Sequence, residues 1–424
     1  MEQKNYTMVA IAAVVCLLIG GFIGMQMAPK ETITDTIKVD KIPLDGRVVQ
    51  LGFMASNDAM LSFMTPHLQD IVEKDINEYA QKMNYDVTFR YLIETSSGQA
   101  ALHLEKVQAF KSMDVNIVVN SGSSGQVQAT LPYVNDNNIL LWSATSTSPL
   151  IAFPDDNLFR MIPTDLIQAP AIAKVLESYG IKAVVLVQRS DAYGDGIYNF
   201  FEPAFNELGG VVLERIRYQA ETQEFSTYLV AMEDAAKKAI DTTYAQEEVG
   251  VVLIGGTTSV VMVTQTEDYP IINSLPWFGS DSVALEQRYV DDAATTSTKL
   301  KMISTLPVPG NSVKYWELAK RYKELTGLQM ETLATNSYDI SYVLMSTILQ
   351  EQSTDADVII PVQADFCYNY FGASGWTKLD ENDDRGALDY NLYAITDVDG
   401  VIDWRHVGVY NVISDSVTWY PGEL

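Results

Sequence analysis

From residue 48 to about residue 350 the chain repeats one pattern: a short apolar β-run, a loop of small polar residues, then an amphipathic helical stretch. Alternation sustained over that length calls for parallel sheets, because two parallel strands need a helical crossover between them. Residues 115–151, VNIVVNSGSSGQVQATLPYVNDNNILLWSATSTSPLI, carry the pattern in its clearest form. The spacing predicts two buried strands there, at 116–119 and 139–142, joined by a helix. Each strand empties into a loop crowded with hydroxyls, Ser121-Gly-Ser-Ser124 and Ser143-Ala-Thr-Ser-Thr-Ser148. Paired loops at the carboxyl ends of neighbouring parallel strands are the usual ligand position of an open α/β sheet. Short hydroxyls, free amides and a helix N-terminus bind a carboxylate or another anion without a cationic side chain. Either loop alone is also ordinary turn and N-cap chemistry. Two in successive units are the stronger signal.

Upstream, 48–54 reads as a buried strand that ends at Ala55-Ser-Asn-Asp58, an N-cap signal for a helix reaching about residue 83. That helix has one apolar face, through Leu61, Met64, Leu68, Ile71, Ile76 and Tyr79. A second strand follows at 87–93, and Ser96 and Ser97 are expected to cap a helix to about residue 113. After Arg160-Met-Ile-Pro-Thr164 the pattern restarts with a helix at 167–179 and a strand at 183–187. The loop Arg189-Ser-Asp-Ala-Tyr-Gly-Asp-Gly196 then opens a helix to Leu208. Strands at 211–218 and 249–254 follow, a helix at 225–240 lying between them. The second strand ends in Gly255-Gly-Thr-Thr258, and a strand near 277–278 ends in Gly279-Ser-Asp281. A strand at 299–306 leads to helices at 312–326 and 333–350, and the tail from 371 is turn-rich, as a hairpin-like closing element would be. Two restarts of one pattern suggest two similar lobes. The glycines of Tyr193-Gly-Asp-Gly196 lack the spacing of a dinucleotide or Walker loop, and a turn into a helix explains them.

With 424 residues, 47% of them hydrophobic and 20% charged, the chain can bury two or three large cores. A net charge of -27 argues against nucleic acid, which needs clustered lysine and arginine. Cys16 and Cys367 are far apart and form no CxxC, and His67, His103 and His406 are scattered, so neither a metal site nor a cofactor is expected. A Ser-His-Asp hydrolase would need a histidine at a strand-end loop and a nucleophile elbow, and no G-x-S-x-G is present. Catalytic residues are therefore not expected. Residues 8–25 are an unbroken apolar or glycine run, long enough to cross a bilayer as a helix. A retained anchor is the main reading. A lipidated Cys16 is disfavoured by Val15 before it and the apolar run after it, and a cleaved signal by the poor cut site Ala28-Pro-Lys30. Residues 29–46 lack sustained periodicity and read as a tether.

Several segments, in order, carry a likeness to a known family: VVQLGFMAS, ILLWSATSTSPLIAFPDDNLFRMIPTD, VVLVQRSDAYGDG, NELGGVVLERIRYQAETQEFSTYL, VVLIGGTTS, NSYDISYVLMSTIL and FGASGWTKLDENDDRG. From residue 47 onward the chain resembles the type I periplasmic-binding-protein fold. Within it, the likeness is to the branched-chain amino acid and amide substrate-binding family of ABC importers, which is leucine/isoleucine/valine-binding-protein-like. The resemblance implies an α/β fold of two Rossmann-like lobes with parallel sheets joined by three crossover strands, here with an N-terminal transmembrane helix. Lobe 1 would take 47–163 and 305–378, lobe 2 would take 164–304 and 379–424, with 1–28 the anchor and 29–46 the tether. The crossovers would fall near 163–165, 303–307 and 377–384.

Carried over by position, the resemblance makes Ser123, Ser124, Thr145, Ser146 and Thr147 the carboxylate-holding hydroxyl loops of lobe 1. On lobe 2 it makes Tyr193 the aromatic that closes over the ligand, Thr257 and Thr258 the next loop, and Asp281 the acid that pairs with an α-ammonium. The chain departs from the family at Ser56-Asn57-Asp58, where Asp58 is either an N-cap or an added ligand acid. Trp142 is either core or pocket lining. The implied function is capture of an apolar, branched-chain type of amino acid between closing lobes and delivery to ABC permease subunits. The body would be extracellular and held to the cell membrane by the N-terminal helix. A receptor for urea or a short amide, and the ectodomain of a sensory system, remain as alternatives.

Overall fold

Strands β1 (Arg47–Ala55) and β2 (Val87–Thr95) run parallel along their whole length, Arg47 opposite Val87 and Ala55 opposite Thr95. With β3 (Ile117–Asn120), β4 (Leu140–Ser143) and β5 (Leu158–Arg160) they form an all-parallel sheet ordered β2-β1-β3-β4-β5. Every residue of β3, β4 and β5 is buried, as expected of strands covered by helices on both faces. The structure, a computed structural model, describes residues 43–308 and 310–422.

A second sheet starts with β6 (Ala183–Arg189), β7 (Val211–Tyr218), β8 (Val249–Ile254), β9 (Trp277–Gly279) and β10 (Ile303–Pro307). After a two-rung hairpin, β11 (Phe371–Gly372) and β12 (Gly375–Trp376), the tail adds β13 (Tyr390–Val398), β14 (Val401–Asn411) and β15 (Ser416–Trp419). The second sheet is ordered β15-β14-β13-β10-β9-β8-β6-β7, its last three strands in sequence being antiparallel additions to a parallel core.

Helices Val313–Thr326 and Thr332–Glu351 follow β10 in sequence but pack on the first sheet, with Tyr315, Leu318, Ile340 and Leu344 in the same core as Phe53, Phe89 and Trp142. The chain therefore passes from the first sheet to the second after β5, back after β10, and over again before β13. Arg160 ties the first and last of these passages. It is fully buried and forks onto the Asp384 carboxylate, with Nη2 2.5 Å from Oδ2, while Arg385 N donates to Arg160 O at 3.0 Å. The same guanidinium donates to Ser148 O at 2.8 Å, so the connection between lobes also holds a cleft loop in place.

Several local expectations shift. Strands β3 and β4 each start and end one residue later than their patterns predict. The first long helix is present but built in three parts, Asp58–Pro66, a wide π turn His67–Val72, and Glu73–Lys82. Pro66 lacks the amide that a continuous α-helix would use there. Its cap is Asn57, which accepts from Met60 N at 2.9 Å, and not Asp58. Asp58 is exposed, accepting from Thr95 and Ser97 hydroxyls at 3.1 and 3.0 Å. Ser96 and Ser97 do not cap the next helix, Ala100–Ser112: Ser97 has a φ of 45° in the preceding turn, and Ser96 Oγ donates to Ser56 O at 2.8 Å. The strand expected at 299–306 begins only at Ile303: Lys299 ends the helix Ala294–Lys299, and a turn follows it. Trp142 is core, with Nε1 donating to Gln363 Oε1 at 2.8 Å. Leu44 is buried, so packing begins inside the predicted tether. Residues 29–42 of that tether and the apolar run at 8–25 lie outside the described residues, among which no helix is long and apolar enough to cross a membrane.

Candidate ligand-binding cleft

The carboxyl ends of β1, β3 and β4 face those of β6, β8 and β9 across a cavity of about 220 Å³. On the first-sheet side the loops deliver Ser56, Asn57, Ser121, Ser123, Ser124 and Thr145. Ser123 caps the helix Ser124–Asp136, and its own amide donates to Gln126 Oε1 at 2.7 Å in a reciprocal box. Gln126 also takes the Ser56 hydroxyl at 3.0 Å and donates to Ser96 Oγ at 2.8 Å, which fixes three loops together. Behind them His103 bridges Asn120 Oδ1 at 2.7 Å and Thr130 Oγ1 at 2.8 Å, and burial lowers its pKa. It is a structural strut. Every polar group that the loops after β1, β3 and β4 present to the cavity is neutral; the acid of this side, Glu331, comes from the start of the helix Thr332–Glu351.

The second-sheet side is acidic. Asp191 caps the helix Ala192–Glu207, accepting from Gly194 N at 3.1 Å, and so sets Tyr193 in its first turn. The Tyr193 hydroxyl donates to Asp281 Oδ1 at 2.5 Å and lies 2.7 and 2.9 Å from the hydroxyls of Ser280 and Ser282. Burial pushes the Asp281 pKa up, while the Tyr193 hydroxyl and the Ser282 amide, 2.9 Å away, pull it down. Asp165, fully buried behind the cleft, is pushed much further up by burial and then by the charge of Asp281, and neither of its oxygens meets a hydrogen-bond donor. Of these two acids Asp165 is held further above the usual carboxylate range, and Asp281 is the one with donors that favour its anion. Arg189 also reaches the cavity, but its guanidinium is paired with Asp191 and lies 5.8 Å from the Tyr193 ring centre. Two further acids line the space. Glu286 Oε2 accepts from Thr257 Oγ1 at 3.1 Å, and Glu331 is raised to about 8 by burial and by Glu286. Met60, Ile162, Ala284, Leu306 and Leu333 supply the apolar walls.

The two sides touch. Ser148 Oγ, from the loop after β4, donates to Ala192 O at 2.6 Å. A Cβ at Gly196 would stand 2.4 Å from Ser148 Oγ and 3.2 Å from Pro149 Cδ, and one at Gly125 3.3 Å from Asp191 Cβ. The glycine loop read as a mere turn thus also lets the lobes close.

Six of the sequence-predicted residues line this cavity: Ser123, Ser124, Thr145, Tyr193, Thr257 and Asp281. Ser146, Thr147 and Thr258 do not. Ser146 turns its hydroxyl to Ser143 Oγ at 2.6 Å, Thr147 is buried toward Asp165, and Thr258 starts the short helix Ser259–Thr264. Neither Asp58 nor Trp142 lines the cavity. Glu286 follows Asp281 in one loop and was within reach of a sequence reading. Glu331, which precedes the helix Thr332–Glu351, carried no local signal.

Residues 72–397 match the family described as "Receptor family ligand binding region". The chain belongs to this family. Members are ligand-binding regions, and this protein is a binder and not an enzyme. An uncharacterised protein of Methanocaldococcus jannaschii is 25% identical over 426 residues, covering 95% of this chain and 98% of its own. Among solved structures, the leucine-binding protein LivK of Thermotoga maritima superposes with a TM-score of 0.69 at 18% identity, over 89% of this chain and 99% of its own. LivJ of Streptococcus pneumoniae, a branched-chain amino acid transporter substrate-binding protein in complex with isoleucine, gives 0.66 at 16%, over 86% and 99%. A solute-binding protein of Rhodopseudomonas palustris with 4-hydroxybenzoate gives 0.71 at 13%, over 86% and 97%. The fold is that of the type I periplasmic binding proteins. It accommodates both an amino acid and an aromatic acid, so the ligand must be argued from the cleft.

Proposed function

We propose that this family member is a cell-surface solute-binding protein that encloses an α-amino acid between its lobes and presents it to an ABC permease. The observation that carries the reading is the charge division of the cleft, neutral donors on one wall and the Tyr193–Asp281 acid on the other. A zwitterion buried there has hydroxyls and helix-start amides for its carboxylate and an anion for its ammonium, without which either charge would be costly to desolvate. The fold shared with leucine- and isoleucine-binding proteins supports the same class. The apolar walls suit an aliphatic side chain. An outward-facing body held by the 8–25 run is part of this reading, supported by the length of that run.

The test is a thermal-shift and calorimetric screen of the purified protein against the L-amino acids, urea, short amides and small carboxylates. A ligand at a hundred times its Kd adds about 2.7 kcal/mol of stability. Binding of an L-amino acid that is lost in Asp281→Ala supports the zwitterion. Binding of urea or amides alone retires it.

A further inference from the structure

Glu286 and Glu331 are not explained by an apolar amino acid. They come from opposite lobes, Glu286 from the segment after β9 and Glu331 from the N-terminal edge of the helix Thr332–Glu351, and both line the cavity. Both also line a wider groove of about 640 Å³ that shares Asn57, Met60 and Thr257 with it, which puts them where the cavity opens outward. Glu286 is held by the Thr257 hydroxyl and, at 3.2 Å, by the Arg288 amide. Glu331 lines the cavity half-buried, and its carboxyl has no side-chain hydrogen-bond partner among the described residues.

Among the described residues no free cation on the cavity wall answers them. Arg189, the cation on the cavity wall, is paired with Asp191. In the outer groove Arg288 pairs with Asp292 at 3.0 Å, Lys323 is exposed at the rim, and Asp403 adds another acid. The same cavity has an apolar part to its lining, from Met60, Ile162, Ala284, Leu306 and Leu333.

We infer that the amino acid taken by this cleft has an aliphatic stem ending in a second cation, lysine-like or arginine-like, and that Glu286 and Glu331 clamp that cation from the two lobes. The inference rests on the amino acid reading above. A cation between the two carboxyls is attracted to both when they are ionised, and only the closed cleft brings the two together, so it favours the closed state over the open one. Burial and Glu286 hold Glu331 near 8, so an unfilled cleft at neutral pH keeps a proton there that the ligand cation displaces.

Calorimetry at pH 8 with L-lysine, L-ornithine, L-arginine, L-leucine, L-isoleucine and putrescine tests it. At least one basic amino acid should bind tenfold or more tightly than leucine, and putrescine, which lacks a carboxylate, more weakly than that amino acid. Glu331→Gln and Glu286→Gln should each lose tenfold or more for the basic ligand and leave leucine binding unchanged or improved, with melting temperature reporting that each variant folds. Leucine or isoleucine binding more tightly than every basic amino acid overturns the inference and leaves the amino acid reading standing. Binding of no amino acid at all overturns both.

Discussion

The two walls of the cleft solve the same problem by different chemistry. The strand-end loops of the first sheet offer Ser123, Ser124 and Thr145 with no charged side chain, and they are braced by Gln126 and His103. The second-sheet wall offers Tyr193, Asp281 and Glu286, and spends its one guanidinium, Arg189, on Asp191. A carboxylate can be shared among many weak neutral donors, so the loss of one is tolerable. An ammonium is met by one or two full charges, so the loss of one leaves a buried ion unpaired. Specificity and energetic risk therefore sit on the second lobe and its Glu331 counterpart.

The largest effect should come from separating the walls altogether. Arg160→Met leaves the buried Asp384 unpaired and releases Ser148 O, and should cost about 3–5 kcal/mol of stability in denaturant unfolding. Next, Asp281→Ala should weaken amino acid binding by about 2–5 kcal/mol in titration calorimetry, with little change in melting temperature. An unchanged Kd there would remove the asymmetry between the walls. The third concerns pH. The Glu331 pKa, raised from 4.5 to about 8, means that the folded chain holds a proton the unfolded chain has lost, so this group makes stability fall as pH rises from about 4.5 to about 8. Affinity for a basic amino acid should rise over pH 6 to 8, by up to about tenfold per unit, while affinity for leucine stays flat. Glu331→Gln should abolish both slopes. Fourth, Gly196→Ala places a Cβ against Ser148 and Pro149, and should weaken binding by roughly tenfold, about 1.4 kcal/mol, by resisting closure while leaving unfolding nearly unchanged. The smallest effect belongs to the neutral wall, where Ser123→Ala or Thr145→Val should each cost about 1 kcal/mol of affinity.

The same contrast shows what was legible beforehand. The neutral wall is built from consecutive residues after two successive strands, and four of its six lining residues fall within the hydroxyl loops of residues 115–151. What those loops hid was direction: Ser146 and Thr147 look like their neighbours in sequence but turn inward, because Ser143 and Arg160 hold the loop from behind. Asp281 and Tyr193 were reached through resemblance, and the hydrogen bond that joins them spans 88 positions. Arg160 and Asp384 are 224 positions apart, and neither has a neighbour that marks it as buried.

By itself the sequence determined the parallel α/β class, the strand-end loops and the acidic charge balance of the chain. Those are properties of neighbouring residues, written in periods of 2 and 3.6 and in side-chain type. Only the tertiary structure decided which hydroxyls face the cavity, and that Glu331 and Glu286 line it together from the two lobes. These depend on contacts between distant segments, and the charge states of Asp165, Asp281 and Glu331 depend on a burial that exists only once both lobes have folded and met.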